Sequence, residues 1–181
     1  RVASRTVPGR GTSLFGYSAD GLVVTNTAPN GATTVTRRNA DGDTLSVTGT
    51  GVTPEFHTYG VLPDGTRWTK TVQGETADSP RFTKRYENML GQVVREERSG
   101  FRGVPLATAH AYDSYGRLVS TASDGEPTSE NTYDALGNRV SVTDHGVTTE
   151  RVYLQGALPS VAAEYVNGQL KERHVMVGAV R

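Results

Sequence analysis

The sequence predicts an all-β protein, an antiparallel β-hairpin repeat array, or meander, that forms a curved, spiralling sheet segment of a shell. Three observations predict it. Glycine is abundant, 21 of 181 residues, against about 7% in an average chain. Thr, Val and Tyr are plentiful while no segment shows a helical apolar stripe flanked by caps. Finally, a short motif built on Tyr and Gly recurs along the chain, and recurrence at a fixed interval is the mark of a repeat architecture.

The clearest copies are Tyr112-Asp113-Ser114-Tyr115-Gly116-Arg117-Leu118-Val119 and Tyr133-Asp134-Ala135-Leu136-Gly137-Asn138-Arg139-Val140, whose glycines lie 21 residues apart. A looser copy runs from Tyr86 through Gly91 to Val94, with one more residue before its glycine. Tyr17 through Gly21 to Val24 matches again, and weaker copies surround Gly42, Gly65 and Gly168. The third residue after each of the first six glycines is apolar: Val24, Leu45, Trp68, Val94, Val119 and Val140. Each glycine is followed by another after nine or ten residues: Gly31, Gly51, Gly74, Gly100, Gly125 and Gly146. A turn, a short strand and a second turn at the opposite end account for this spacing.

Turn chemistry agrees. Asp20-Gly21, Asn30-Gly31, Asp41-Gly42, Asp64-Gly65, Asp124-Gly125 and Asn167-Gly168 are pairs suited to two-residue hairpin turns with positive φ. Where a bulkier residue precedes Gly, as at Leu136-Gly137, a longer turn is expected, capped by the Asp that follows Tyr. Pro54, Pro63, Pro80, Pro105, Pro127 and Pro159 fall near turns or strand starts, where a missing N–H is tolerated. If Tyr and the third residue after Gly share one face, adjacent hairpins stack into a continuous ladder. On that reading Val119→Asp destabilises strongly and Asn138→Asp does little.

In order along the chain, residues 1–13 read as a linker or incomplete strand. Residues 14–80 read as divergent hairpin repeats and 81–143 as well-defined ones. Residues 144–181 read as fading repeats continuing into a missing C-terminal region. The chain starts at Arg1 with neither Met nor a signal peptide, which reads as an excised fragment.

Composition excludes several functions. Charge is balanced, 19 basic against 19 acidic residues, so nothing steers the surface toward nucleic acid or an anionic membrane. Such a neutral chain is poorly protected against self-association, as suits a piece covered by neighbours. With no cysteine there is no disulfide, thiolate nucleophile or cysteine metal site. No apolar run approaches the roughly 20 residues that span a bilayer.

No catalytic constellation emerges, so the chain reads as a non-enzyme needing no cofactor or metal. His57, His110, His145 and His174 are scattered without metal-ligand spacing. Asp144 and His145 are adjacent, and neighbours on a strand point apart, so a turn is favoured over a catalytic pair. The same alternation argues against Glu96-Glu97 as a glycosidase pair. Asp113 and Asp134 are lone carboxylates in their turns, suited to capping rather than to calcium. Gly9-Arg10-Gly11 lacks the third glycine and the βαβ context of a dinucleotide loop. Trp68 occupies a slot otherwise held by Val and Leu and is expected to pack, whereas Tyr115, inside a turn, is expected to be exposed and possible to present to a ligand.

The Tyr-Asp-x-x-Gly-Arg-Leu and Tyr-Asp-x-Leu-Gly-Asn-Arg cores resemble the YD repeats of RHS proteins, strongly over residues 81–143, moderately over 14–80 and weakly beyond 150. The repeat residues are Tyr17, Gly21, Tyr86, Gly91, Tyr112, Asp113, Gly116, Arg117, Tyr133, Asp134, Gly137 and Arg139. The resemblance implies a secreted or cell-surface protein whose long spiralling sheet builds a hollow shell. In bacterial toxin complexes and RHS effectors such a shell encloses a C-terminal toxin; in teneurins it belongs to an adhesion receptor. The implied partners are adjoining repeats of the parent chain, an enclosed toxin domain, or a glycan or cell-surface receptor. Bacterial RHS cores usually end in an Asp-Pro-x-Gly-Leu-type self-cleavage segment; none is found here, so self-processing and toxin activity are not carried over.

Overall fold

The structure, a computed structural model, describes residues 3–154 and 160–174. Among these it is all-β, with sixteen strands and no α-helix. The chain divides into two compact units, residues 1–106 and 107–181. The first holds β1 (Ser4–Val7), β2 (Gly11–Tyr17), β3 (Val23–Thr27), β4 (Thr33–Arg38), β5 (Thr44–Thr48), β6 (Glu55–Val61), β7 (Arg67–Gln73), β8 (Arg81–Glu87) and β9 (Val93–Arg98). The second is built from β10 (Leu106–Tyr112), β11 (Leu118–Ser123), β12 (Ser129–Tyr133), β13 (Arg139–Asp144), β14 (Val147–Leu154), β15 (Ser160–Val166) and β16 (Gln169–Arg173). Within each unit every strand pairs antiparallel with the next one in sequence, which makes each an uninterrupted meander.

The glycine spacing translates directly into reversals. Gly21, Gly42, Gly65, Gly91, Gly116 and Gly137 each sit in the loop after an even-numbered strand from β2 to β12. Gly31, Gly51, Gly74, Gly100, Gly125 and Gly146 sit in the loops at the other end of the strands that follow. Pro54, Pro80 and Pro105 immediately precede β6, β8 and β10, where an absent donor costs no ladder bond. Pro159 lies outside the described residues.

At Asn30-Gly31, Asp41-Gly42 and Asp64-Gly65 the loops are longer than the two-residue turns expected, and they share the longer form expected at Leu136-Gly137. At Gly116 the glycine N–H donates to the Asp113 carbonyl at 2.9 Å, while the Asp113 N–H donates to the Arg117 carbonyl at 2.9 Å. The same two bonds recur around Gly31, Gly42, Gly65, Gly91 and Gly137. This is a three-residue loop in which only the last residue, Gly116 at φ 80°, needs the left-handed region. A two-residue turn of the same hand needs two such residues in succession. Asn167-Gly168 and His145-Gly146 supply both in hairpin turns, at φ 47° and 75° and at 48° and 77°, and Arg102-Gly103, in the link between β9 and β10, supplies both at 56° and 76°. One glycine per reversal therefore suffices, and the preceding position is released from backbone duty.

The uniform apolar ladder also needs correcting. The third residue after Gly is not an ordinary strand position in most hairpins. Tyr112 faces Leu118 and Ala111 faces Ser120, so Val119 has no partner and forms a β-bulge. Leu45, Val94 and Val140 are skipped in the same way. Nor do all six residues share a face. Val24, Thr36, Val47, Glu55 and Gln73 stand opposite one another from β3 to β7. Trp68 is an odd number of positions from Gln73 along β7, so it lies on the other face from Val24. The same parity puts Tyr86 opposite to Tyr17 and Tyr59, because its single extra residue before Gly flips its side chain. Glu87 occupies the slot held elsewhere by tyrosine.

Among the described residues only Val72, at 5% exposure, and Ala163 are buried. Strands touch only their neighbours in sequence. Each unit is thus a single layer held by ladder hydrogen bonds and cross-strand pairs, each pair contributing about 0.2–1 kcal/mol.

Candidate functional site

The most elaborate constellation is the junction between the two clearest repeats. Asp113 Oδ1 accepts from the N–H groups of Tyr115 and Arg117, both at 2.9 Å, and Oδ2 accepts from Arg117 Nε at 2.7 Å. These donors hold the Asp113 carboxyl below the usual carboxylate range, the Arg117 backbone N–H first among them. Arg117 then reaches forward: Nη1 donates to the Asp134 carbonyl at 3.2 Å, and the guanidinium carbon stands 4.7 Å from the Tyr133 ring centroid. The Tyr115 ring centroid also lies within 5.2 Å of it. Tyr115 is 83% exposed.

The Asp113–Arg117 pair is one version of a clamp that recurs at the same two positions. Asp134 Oδ1 accepts from the N–H groups of Leu136 and Asn138, and its Oδ2 accepts from Asn138 Nδ2 at 2.8 Å. Asp134 is likewise held low, chiefly by the Asn138 side chain. Asn88 pairs with Gln92 at 2.8 Å and Asn39 with Asp43 at 3.1 Å. Sequence reading singled out Asp113, Arg117 and Asp134 but missed Asn138, Asn88, Gln92, Asn39 and Asp43. The available signal was a polar side chain three residues before Gly with a complementary one just after it. Where that first position is not Asp or Asn, the residue preceding Gly also caps: Asp20 and Asp64 accept from the N–H groups of Leu22 and Thr66 at 2.9 Å, and Ser18 Oγ adds a bond from the Val23 N–H at 2.9 Å.

Three tyrosine hydroxyls join their hairpin to the one before. Tyr133 Oη donates to the Leu118 carbonyl at 2.9 Å, Tyr59 Oη to the Thr44 carbonyl at 2.7 Å, and Tyr153 Oη to the Arg139 carbonyl at 3.0 Å. Each acceptor is the second residue after a repeat glycine, beside the bulge. In each case the ladder to the returning strand has already stopped: β11 and β12 pair only at Ser120–Glu130 and Thr121–Ser129. The bulge twists the strand away, and the hydroxyl satisfies a carbonyl that the ladder leaves behind. Arg139 contributes mainly this carbonyl, its side chain being exposed and bonded to Asn131 at 3.3 Å.

The remaining candidates separate. His57 and His110 each face a cross-strand threonine, Thr71 at 3.0 Å and Thr121 at 3.2 Å. Glu96 and Glu97 lie opposite Arg85 and Lys84 on different faces. Asp144 and His145, by contrast, do meet. The left-handed φ of His145 breaks strand alternation and brings Nδ1 within 3.0 Å of Asp144 Oδ1, while Nε2 lies 3.1 Å from Glu126 Oε2. The expected turn is present, and within it the strand alternation that would keep the two neighbours apart does not apply. With a carboxylate at each nitrogen the imidazole satisfies both only when protonated, and its pKa is raised, first by Glu126 and then by Asp144. A cation held this way donates at both ends and has no free nitrogen to act as a base. Among the described residues no group of three or more His, Asp or Glu is arranged to hold a metal ion.

Together the fold and these junctions define an antiparallel meander of repeat-like hairpins whose recurring geometry lies in loops and contacts between hairpins. No protein-family model and no curated protein matches the chain.

Proposed function

We propose that the chain is a non-catalytic structural segment of a YD-repeat wall of the RHS type, which encloses or scaffolds a partner domain of a longer parent protein. The observation that supports it best is the combination of single-layer sheet, with only Val72 and Ala163 buried among the described residues, and junctions that repeat from hairpin to hairpin. Stability then comes from local repeats and nearest-neighbour contacts, as in other extended arrays, and the faces are left for something else to cover. A secreted or cell-surface location, a curved shell and a toxin cargo are parts of this reading drawn from the repeat motif. The test is co-expression with the region that follows it in the parent protein. Co-purification and protection of that region from protease support a wall; independent elution of the two parts overturns it.

A second reading, a carbohydrate-binding or cell-surface adhesion module, is favoured by one observation. Tyr115 presents an 83% exposed ring backed by the Arg117 guanidinium, and such a ring can stack on a sugar face. Glycan binding abolished by Tyr115→Ala supports this reading, and a glycan array with no ligand removes it.

A further inference from the structure

The sheet formed by β6, β7, β8 and β9 has two unlike faces. Alternation along β7 and β8 puts Thr69, Thr71, Gln73, Arg81, Thr83 and Arg85 on one side and Trp68, Lys70, Val72, Phe82, Lys84 and Tyr86 on the other. Register arranges the second set in three rows across the strands. Phe56, Val72 and Phe82 stand side by side, then Thr58, Lys70, Lys84 and Glu97, then Gly60, Trp68, Tyr86 and Arg95. Flanking phenylalanines make Val72 the most buried residue of this unit. The indole of Trp68 lies flat over Gly60, where an added Cβ would come within 2.5 Å of it.

The middle row is electrostatically incomplete. Lys70 and Lys84 are directly opposite each other, and like charges so placed oppose sheet formation. Their amines rest on rings: Lys84 Nζ is 4.2 Å from the Trp68 centroid and 4.7 Å from that of Tyr86, and Lys70 Nζ is 5.1 Å from that of Phe82. Among the described residues neither forms an ion pair with a carboxylate. The nearest candidate across the ladder, Glu97, is engaged by Arg95 at 2.9 Å and by the Tyr86 hydroxyl at 3.3 Å. With Glu97, the carboxylate at the end of their row, committed to Arg95, the two lysines and Arg95 leave this face a net positive charge of two, complementary to an anion brought by a partner.

We infer that this face docks a protein segment carrying an apolar, an acidic and an apolar side chain in line, with the carboxylate between Lys70 and Lys84. The rows follow one another at every second residue of β7, about 6.6–7 Å apart. That is the spacing of alternate side chains on an extended segment, so a strand laid over β7 meets Val72, the lysine pair and Trp68 in turn. Face-to-face packing of this kind is the ordinary way for a sheet to cover an apolar side. The inference rests on the wall reading in supposing that this face is covered, and it adds which face and by what chemistry.

Trp68 is the only tryptophan in the chain, so its fluorescence reports this surface alone. The full chain is titrated with a synthetic peptide bearing leucine, glutamate and leucine at alternate positions. Two counterparts carry lysine in place of glutamate, or serine in place of both leucines. A saturable fluorescence change with the first peptide is expected, at least about tenfold weaker with either counterpart. The double variant Lys70→Gln/Lys84→Gln should lose that binding, and Lys70→Arg/Lys84→Arg should keep it, with circular dichroism showing both folded. Equal response to the lysine peptide, no response to any peptide, or stronger response to a sulfated heparin oligosaccharide overturns the inference. Peptide binding without capture of the parent's following region counts against the wall and leaves this surface standing; capture without peptide binding does the reverse.

Discussion

The Arg117 guanidinium lies 4.7 Å from the Tyr133 ring centroid while its Nε holds the Asp113 carboxylate at 2.7 Å. One side chain thus closes its own loop and covers the aromatic ring of the next repeat. Arg117→Lys keeps the charge but loses the planar stack and the fixed fork. It should cost the stacking part, about 0.5–1 kcal/mol at a partly exposed site. Arg117→Ala should cost more. Urea unfolding curves of the two variants provide the check, and identical midpoints would contradict the bridging role.

The tyrosine hydroxyls give a sharper contrast. Tyr133→Phe leaves the ring and removes only the bond to the Leu118 carbonyl, at an expected cost of about 0.5–1.5 kcal/mol. Tyr59→Phe and Tyr153→Phe should behave alike, because their hydroxyls serve equivalent carbonyls. Tyr115→Phe should leave the melting temperature unchanged, since its ring is exposed at a loop tip.

Asn138→Asp is predicted to be destabilising, against the expectation drawn from sequence alone. Asn138 Nδ2 donates to Asp134 Oδ2, and aspartate there sets two carboxylates against each other. The penalty should be present at neutral pH and shrink as acid protonates one of them. Asn138→Arg recreates the pairing seen at Asp113 and Arg117 and should be tolerated. Thermal melts at pH 7 and pH 4 decide between these outcomes.

His145 contributes a pH dependence of defined sign. Its folded-state pKa is raised above the ordinary 6.5, first by Glu126 and then by Asp144. The stabilisation is therefore fully present below the unfolded value and is lost as pH rises through the higher folded one. An NMR titration of the imidazole should give a midpoint above 6.5. His145→Gln should remove this component from the stability profile; a midpoint below the ordinary value would refute the clamp.

Burial ranks two further substitutions. Val72→Asp should cost about 3 kcal/mol or more, because Val72 is flanked by phenylalanines on both neighbouring strands. Val119→Asp should cost less, since the bulge leaves Val119 half-exposed and able to turn a charge toward water. Comparable losses in the two variants would contradict the placement of the unit's packing centre at Val72.

The amino-acid sequence by itself determined the reversals. Gly116 and Gly137 mark them because a single left-handed residue closes each loop, and Asp113 and Asp134 cap them through N–H groups at most four residues away. Such interactions are local, so residue type and spacing express them directly. Tertiary structure decided which side chains share a face, where bulges fall and which surface stays unsatisfied. Val119 reads as a strand residue until Ala111 and Tyr112 skip it, and Trp68 looks equivalent to Val24 until the registers of five strands put them on opposite sides. A side chain's face follows an alternation of period two, so one inserted residue or one slip of register inverts it. That parity depends on how distant segments pair, and the lysine pair between Phe82 and Trp68 exists only once β7 and β8 are set side by side.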